Sequence, residues 1–414
     1  MGILQQIVSD KAWELFLANR LQKGRFSWST FEEADEYVEN RQYLQVAEYI
    51  SSGGSLGIPV RKEINKIGTG KKRIVYCFSH DKMRILKLIS FLLYKYDGLF
   101  APNCYAFRQG KSASDAIRDI NKTIRNKRLW AYKVDIHNYF NSISIPVLLP
   151  ILSDVLKDDP ELFAFLKQLL DDDSAYCGNV IIHEQRGVMA GLPIASFLAN
   201  VYLMEVDHFF NESGILYARY SDDIIIFAED EKRLNQYRSI LLDFLRKYQL
   251  EINPAKEMIY SPDEPFEYLG FRCMERKIDI SHATRDKFKG KIYRKARSIR
   301  RKCSKEGWNP EKGIKMLIRF ANRKLFDVND NESLCWSSWF FPVINVTDGL
   351  KEIDHYIQEN CRYVYTGRHN KANYKTRYSD LKRLGYRSLL HEFYLGQKKR
   401  NHECIIEVVL LFIQ

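Results

Sequence analysis

The stretch Tyr220-Ser221-Asp222-Asp223-Ile224-Ile225-Ile226-Phe227 decides how this chain is read. Two adjacent carboxylates precede a strongly apolar run, so the spacing predicts two strands over 215–228, folded about Ser221 and Asp222, with the acids at the tip and a buried strand behind them. As a bare pattern, Tyr-x-Asp-Asp arises by chance in roughly one chain in ten of this length, so the surroundings must carry the argument. Neighbouring carboxylates repel each other and shift their proton affinities unless a cation lies between them. Phosphoryl transfer to a 3′-hydroxyl uses two hard cations about 4 Å apart, and carboxylate oxygens are suitable ligands for them. Such a centre needs a third acid from another strand.

Asp135 is that acid. Trp130–Ile136 has a β pattern, and Val134-Asp135-Ile136-His137-Asn138-Tyr139-Phe140 ends a buried strand on a lone carboxylate with an aromatic ring five residues on. A strand-end Asp, an aromatic at +5 and a downstream Asp-Asp hairpin together resemble the reverse transcriptases, and the resemblance runs in order along residues 61–275. Tyr105-Ala106-Phe107-Arg108-Gln109-Gly110-Lys111-Ser112 is similar to a fingers segment of group II intron and retron enzymes. Gly191-Leu192-Pro193-Ile194-Ala195-Ser196-Phe197-Leu198-Ala199-Asn200 resembles the motif beside the templating base. Asn253-Pro254-Ala255-Lys256 and Phe266-Glu267-Tyr268-Leu269-Gly270-Phe271 resemble the late palm motif and the primer-grip turn. Ala190 stands where the family has Gln, and Ala195-Ser196 where mobile-element enzymes have Ser-Pro, which favours a diverged bacterial lineage.

The resemblance implies an α+β right-hand polymerase with a mostly helical C-terminal extension: N-terminal helices and fingers over 1–130, palm over 131–275 with a fingers insertion near 145–186, thumb over 276–345, and an extension over 346–414. It implies that Asp135, Asp222 and Asp223, with the carbonyl of Ile136, bind two Mg2+. Lys66 and Arg73 would neutralise the incoming triphosphate, with Gly191 and Pro193 beside the nascent pair. Lys256 would either protonate the leaving pyrophosphate or be an ordinary surface Lys. Phe140 would lie under the sugar and exclude a 2′-hydroxyl, making the product DNA. Arg108 and Tyr220 would touch nucleic acid.

Composition agrees. The chain has 414 residues and a formal net charge of +12, with 64 Lys and Arg against 52 Asp and Glu, which points to a polyanionic partner. At 45% hydrophobic, 28% charged, 21 Gly and 11 Pro it is globular rather than low-complexity, and no repeat suggests a solenoid. Eight cysteines without a CxxC pair indicate neither a zinc knuckle nor a disulfide framework, and a reducing cytoplasm is expected. No secretion, acylation or membrane span is expected.

Helices are predicted over 9–24, 30–51, 80–97, 112–127, 145–170, 191–203 and 231–249, a cationic hairpin over 64–78, and a last strand pair over 257–275. Asp171-Asp172-Asp173 reads as a solvated turn, and Arg368-His369-Asn370-Lys371 lacks a second His or acid at metal spacing. From Arg285 to Lys302 there are ten Lys or Arg and one acid, Asp286, with Ile292, Ala296, Ile299 and Cys303 on one helical face. That helix reads as a thumb gripping duplex phosphates through Arg294, Lys295, Arg297, Arg300 and Arg301, which suits an RNA–DNA hybrid.

No endonuclease, RNase H, integrase or zinc-finger signature accompanies these motifs. The diverged 191–200 motif, the extension, and Leu384-Gly385-Tyr386-Arg387-Ser388-Leu389 resemble bacterial defence-associated reverse transcriptases of the unknown-group and abortive-infection class, with the single-protein type 2 systems as the nearest likeness. This implies copying of a cognate non-coding RNA into complementary DNA from dNTPs in antiphage defence. The alternatives are a retron-type enzyme primed from a branched RNA and a maturase-like RNA-binding protein.

Overall fold

The computed structural model describes residues 1–22, 31–65, 72–327, 335–368 and 376–398. Lys66, the tip of the cationic hairpin and His369 lie outside the described residues. The chain divides into two compact units, Met1–Glu264 and Pro265–Gln414.

The first unit is built around a four-stranded antiparallel sheet in the order Tyr217–Tyr220, Asp223–Ala228, Trp130–Asp135, Met258–Tyr260. Its two central strands pair from Trp130 opposite Ala228 to Asp135 opposite Asp223. Ile224, Ile225 and Ile226 are all fully buried, so this strand is covered on both faces and reads as a continuous β-branched run instead of an alternation. Helix Ala195–Tyr202 and helix Glu231–Lys247 contribute to the same core. The latter starts where the Asp230 side chain accepts from the Arg233 amide at 2.8 Å, and it buries Leu234, Leu241 and Leu245.

A second sheet in this unit has the order Lys72–Cys77, Val60–Asn65, Ser174–Cys177, Val180–His183. The helical pattern over 145–170 resolves into Ile145–Val155 and Pro160–Asp171. Pro160 at the first helical turn and the Asp159 cap, which accepts from the Leu162 amide, start the second helix afresh. Asp159 also accepts from the Ile3 amide at 2.7 Å and so ties the N-terminus down. The N-terminal helices close over Trp13, which stacks on Tyr43 with ring centroids 4.7 Å apart.

The second unit carries a three-stranded sheet in the order Lys277–Ile280, Phe271–Met274, Phe266–Tyr268, followed by helices His282–Lys305, Pro310–Leu325, Trp336–Phe340, Asp348–Thr366 and Tyr378–Arg383. The expected strand pair over 257–275 therefore forms differently. Met258–Tyr260 joins the sheet of the first unit, and Pro262 and Pro265 interrupt the ladder before the next strand begins. In the second unit, buried Asp354 accepts from the Tyr386 hydroxyl at 2.6 Å, the Ser388 hydroxyl at 2.7 Å and the amides of Leu389 and Leu390 at 2.8 and 3.0 Å. The Leu384–Leu389 segment is thereby fastened to helix Asp348–Thr366. Among the described residues the seven cysteines are all free, and no helix is long and apolar enough to cross a membrane.

Candidate active site

Asp135, Asp222 and Asp223 meet at one end of the central sheet. One ligand atom from each can be chosen so that all lie within 4.8 Å of one another. Local backbone geometry puts them there. Asp135 ends its strand and its carbonyl accepts from the Asn253 amide at 2.8 Å, while the Ile136 amide donates to the Asp222 carbonyl at 3.0 Å. Between Tyr220 and Asp222 the turn passes through Ser221 in the left-handed region, φ +62°. Such a turn is strained for a non-glycine residue, and a network beneath it holds it in place. Arg219, fully buried, pairs with equally buried Asp207 and donates to the Ser221 carbonyl and to Asn200 Oδ1, each at 3.3 Å. Tyr217 donates to Asp207 at 3.0 Å.

Burial raises the proton affinity of Asp222, and the Asp135 charge adds to it. Burial pushes Asp223 up to about 6, with Lys133 opposing and the charges of Asp222 and Asp135 reinforcing the shift. Three hard oxygen donors at this spacing, two of them penalised for ionising, are a donor set that a divalent cation would relieve, so the residues fit such an ion. Lys256 donates to Asp135 Oδ2 at 2.6 Å, and the positive charge of Arg73 acts on Asp222. Of the three predicted cations, Lys256 therefore contacts the acid cluster, Arg73 reaches it through its charge, and Lys66 lies outside the described residues.

Phe140 is half-buried and sits after the left-handed Asn138 turn, with its ring 5.8 Å from Tyr139 and 6.1 Å from Phe107. The segment 187–193 is stitched to the backbone of Phe140 and to strand Lys72–Cys77. The Val188 amide donates to the Phe140 carbonyl at 2.9 Å and the Tyr76 amide to the Ala190 carbonyl at 2.8 Å. Gly191 has φ +105°, and a Cβ there would meet the Tyr76 carbonyl at 3.0 Å and Val75 at 3.2 Å, so both conformation and space call for glycine. The Pro193 carbonyl accepts from Ser90 at 3.0 Å. Tyr220 is half-exposed and opposite Asp223 in the hairpin.

Arg108 departs from its expected place on nucleic acid. Its guanidinium turns inward, grips both carboxylate oxygens of Asp97 at 3.1 Å, and donates to the carbonyls of Asp97, Ala101 and Cys104. With its donors committed inside the protein, it holds the fold.

The basic helix of the second unit sorts its cations. Arg294, Arg297 and Arg301 are exposed. Lys295 lies over the Phe320 ring at 5.6 Å, and Arg300 donates to the Val364 carbonyl at 3.4 Å. Arg285 and Lys289 both pair with Glu352. Lys291 has its affinity for a proton lowered by burial, then by Lys324, Arg294 and Lys287, a concentration of positive charge drawn from two helices.

Sequence reasoning missed Arg219, Asp207, Lys133 and the contact between Phe107 and Phe140. The Arg immediately before Tyr220 was a visible signal, because a cation within an apolar strand needs a buried partner. Asp207, on an amphipathic helix, carries no comparable mark.

A profile of the family described as "Reverse transcriptase (RNA-dependent DNA polymerase)" matches residues 61–273. Curated relatives include the retron Ec48 reverse transcriptase of Escherichia coli, 26% identical over 225 residues, covering 51% of this chain and 51% of the relative. The retron Ec86 reverse transcriptase of the same organism is 25% identical over 107 residues, covering 25% of this chain and 33% of the relative. The chain thus matches about half or less of the length of these relatives. Similar solved structures include telomerase from Candida tropicalis in complex with a TWJ fragment of telomeric RNA, at 12% identity and TM-score 0.44, covering 84% of this chain and 67% of that one. The corresponding complex from Candida albicans has 13% identity and TM-score 0.42, covering 84% and 68%.

Proposed function

The chain belongs to the reverse transcriptase family, and from that premise we propose that it synthesises DNA from dNTPs on an RNA template. The observation that carries this reading is the convergence of Asp135, Asp222 and Asp223 on one cluster. In this reading the three carboxylates and the Ile136 carbonyl hold two Mg2+, which when bound activate the attacking 3′-hydroxyl and offset charge on the triphosphate. Arg73, already acting on Asp222, neutralises the triphosphate alongside Lys66. Lys256 delivers a proton to the leaving pyrophosphate. Phe140 excludes ribonucleotides through the volume of its ring, and Gly191 and Pro193 shape the wall beside the nascent pair. The exposed arginines of helix His282–Lys305 hold duplex phosphates. Residues 1–130, 131–275, 276–345 and 346–414 act as fingers, palm, thumb and extension. We place the chain in the cytoplasm, a reducing compartment that would leave cysteines free, as they are among the described residues.

The template in this reading is a cognate non-coding RNA copied in antiphage defence. A retron-type role is the second reading, and the two retron relatives favour it. Purified protein with its co-purifying RNA, dNTPs and Mg2+ should make DNA, and the double variant Asp222→Ala, Asp223→Ala should make none. Equal synthesis by that variant would sink the assignment. Sequencing the RNA and DNA bound in cells before and during phage challenge separates the two readings, since a branched RNA–DNA product indicates the retron type.

A further inference from the structure

Phe107 is an unusual residue for its position. It is 43% exposed, yet its backbone is left-handed at φ +60°, a conformation that a bulky L side chain adopts only when its surroundings impose it. Both neighbours supply that imposition. The Ala106 carbonyl accepts from the side-chain amide of fully buried Asn200 at 2.8 Å. On the other side, Arg108 is locked by its two 3.1 Å bonds to Asp97 and by the carbonyls of Ala101 and Cys104. Two interior anchors thus present an aromatic ring to the surface. That ring meets Phe140 edge to face, with centroids 6.1 Å apart and planes at 73°. Phe140 also meets Tyr139 at 5.8 Å, and the Val188 amide holds its backbone carbonyl at 2.9 Å, so the backbone of Phe140 is anchored while its ring has two aromatic neighbours, Tyr139 and Phe107.

We propose that Phe107 is a positioning residue for sugar selection: its edge contact fixes the tilt of the Phe140 ring, so that the gate against a 2′-hydroxyl is a two-ring device. This rests on the reading of Phe140 as the sugar gate. A steric gate works only if its ring cannot swing aside, and a displacement of about 1 Å at a reacting centre is enough to change rates on the order of 100-fold. Phe107 removes that freedom without touching the sugar. The inward turn of Arg108 acquires a purpose as well, since it keeps Phe107 in place.

The test measures kcat/KM for matched ribo- and deoxynucleotides on one primer–template with Phe107→Ala, Phe140→Ala and the double variant. Phe107→Ala should reduce discrimination against ribonucleotides about 2- to 10-fold, the worth of one aromatic edge contact, chiefly by raising ribonucleotide use. Phe140→Ala should reduce it on the order of 100-fold. The double variant should match Phe140→Ala, because Phe107 acts through that ring. Phe107→Tyr should behave as the parent. Should Phe107→Ala fold poorly, Phe107→Gly removes the ring while suiting the left-handed backbone. Unchanged discrimination in Phe107→Ala or Phe107→Gly, with a loss in Phe140→Ala, overturns the positioning role alone. Multiplicative losses in the double variant also overturn it. If Phe140→Ala leaves selectivity untouched, the gate reading fails and this inference with it.

Discussion

Substituting Asp207 with leucine, Arg219 with methionine, and then both together asks what holds the catalytic turn. Both side chains are completely buried. They are joined by a short Nη2–Oδ2 contact and by an Nε–Oδ1 hydrogen bond of 2.8 Å, and Tyr217 completes the shell of the carboxylate at 3.0 Å. Removing one partner of such a pair leaves an uncompensated interior charge and costs about 3–5 kcal/mol, while apolar groups of similar volume at both positions restore most of it. Asp207→Leu should stand at the upper end, because a guanidinium cannot shed its proton. Arg219→Met additionally frees the Ser221 carbonyl, bonded at 3.3 Å in the parent, and so loosens the left-handed turn between Tyr220 and Asp222. For a unit of this size each single change should lower the melting temperature by roughly 6–20 °C, and the double variant should regain at least half of the loss. Calorimetric melting of the four proteins gives the cycle directly. Losses that simply add would refute the reasoning, since regaining half of a summed loss of about 6–10 kcal/mol requires a coupling of at least about 3–5 kcal/mol between the two sites.

Two further outcomes follow from charge. Because burial lifts Asp223 from 3.8 to about 6, the folded chain binds this proton more tightly than the unfolded chain; the resulting destabilisation is absent below about pH 4, grows between pH 4 and 6, and is complete above. Metal-free Asp223→Asn should therefore be more stable than the parent by up to about 3 kcal/mol at pH 8, with no gain at pH 4, as read from urea unfolding in EDTA; an equal gain at both pH values would exclude the buried charge as its source. Exposed Arg294, Arg297 and Arg301, each changed to glutamine, should lower the salt dependence of RNA–DNA hybrid binding by roughly one unit of slope for every phosphate no longer neutralised. The same change at Arg285, which is paired with Glu352, should leave that slope alone and lower the melting temperature instead.

The acid cluster was legible in the sequence because each part is local: a strand ending on a lone Asp, and a two-residue turn before a buried run, are patterns a few residues long. Side-chain direction was not legible. Arg108 belongs to a motif suggestive of nucleic acid, yet Asp97, eleven residues earlier on a different element, draws it inward. Of the ten cations from Arg285 to Lys302, Arg285 and Lys289 are claimed by Glu352, more than sixty residues away, and nothing in their own segment announces it. The strands on either side of Pro262 and Pro265 part company for a related reason, the first joining the sheet of Asp135 while the two beyond pair with each other. Their alternation predicts a strand pair, but which sheet each strand joins depends on where two prolines break the ladder.

The pairing of Asp135 with Asp223 has one more consequence. Successive strand residues point to opposite faces, so a slip of a single residue in this ladder would carry one acid away from the other. The hydrogen bonds that build the sheet and the carboxylates that would hold metal therefore share one alignment, and a chain misaligned here cannot keep its metal centre. Activity acts as a checksum on assembly: titrating competent sites in a preparation counts the molecules whose central sheet has zipped correctly, with no separate assay of structure.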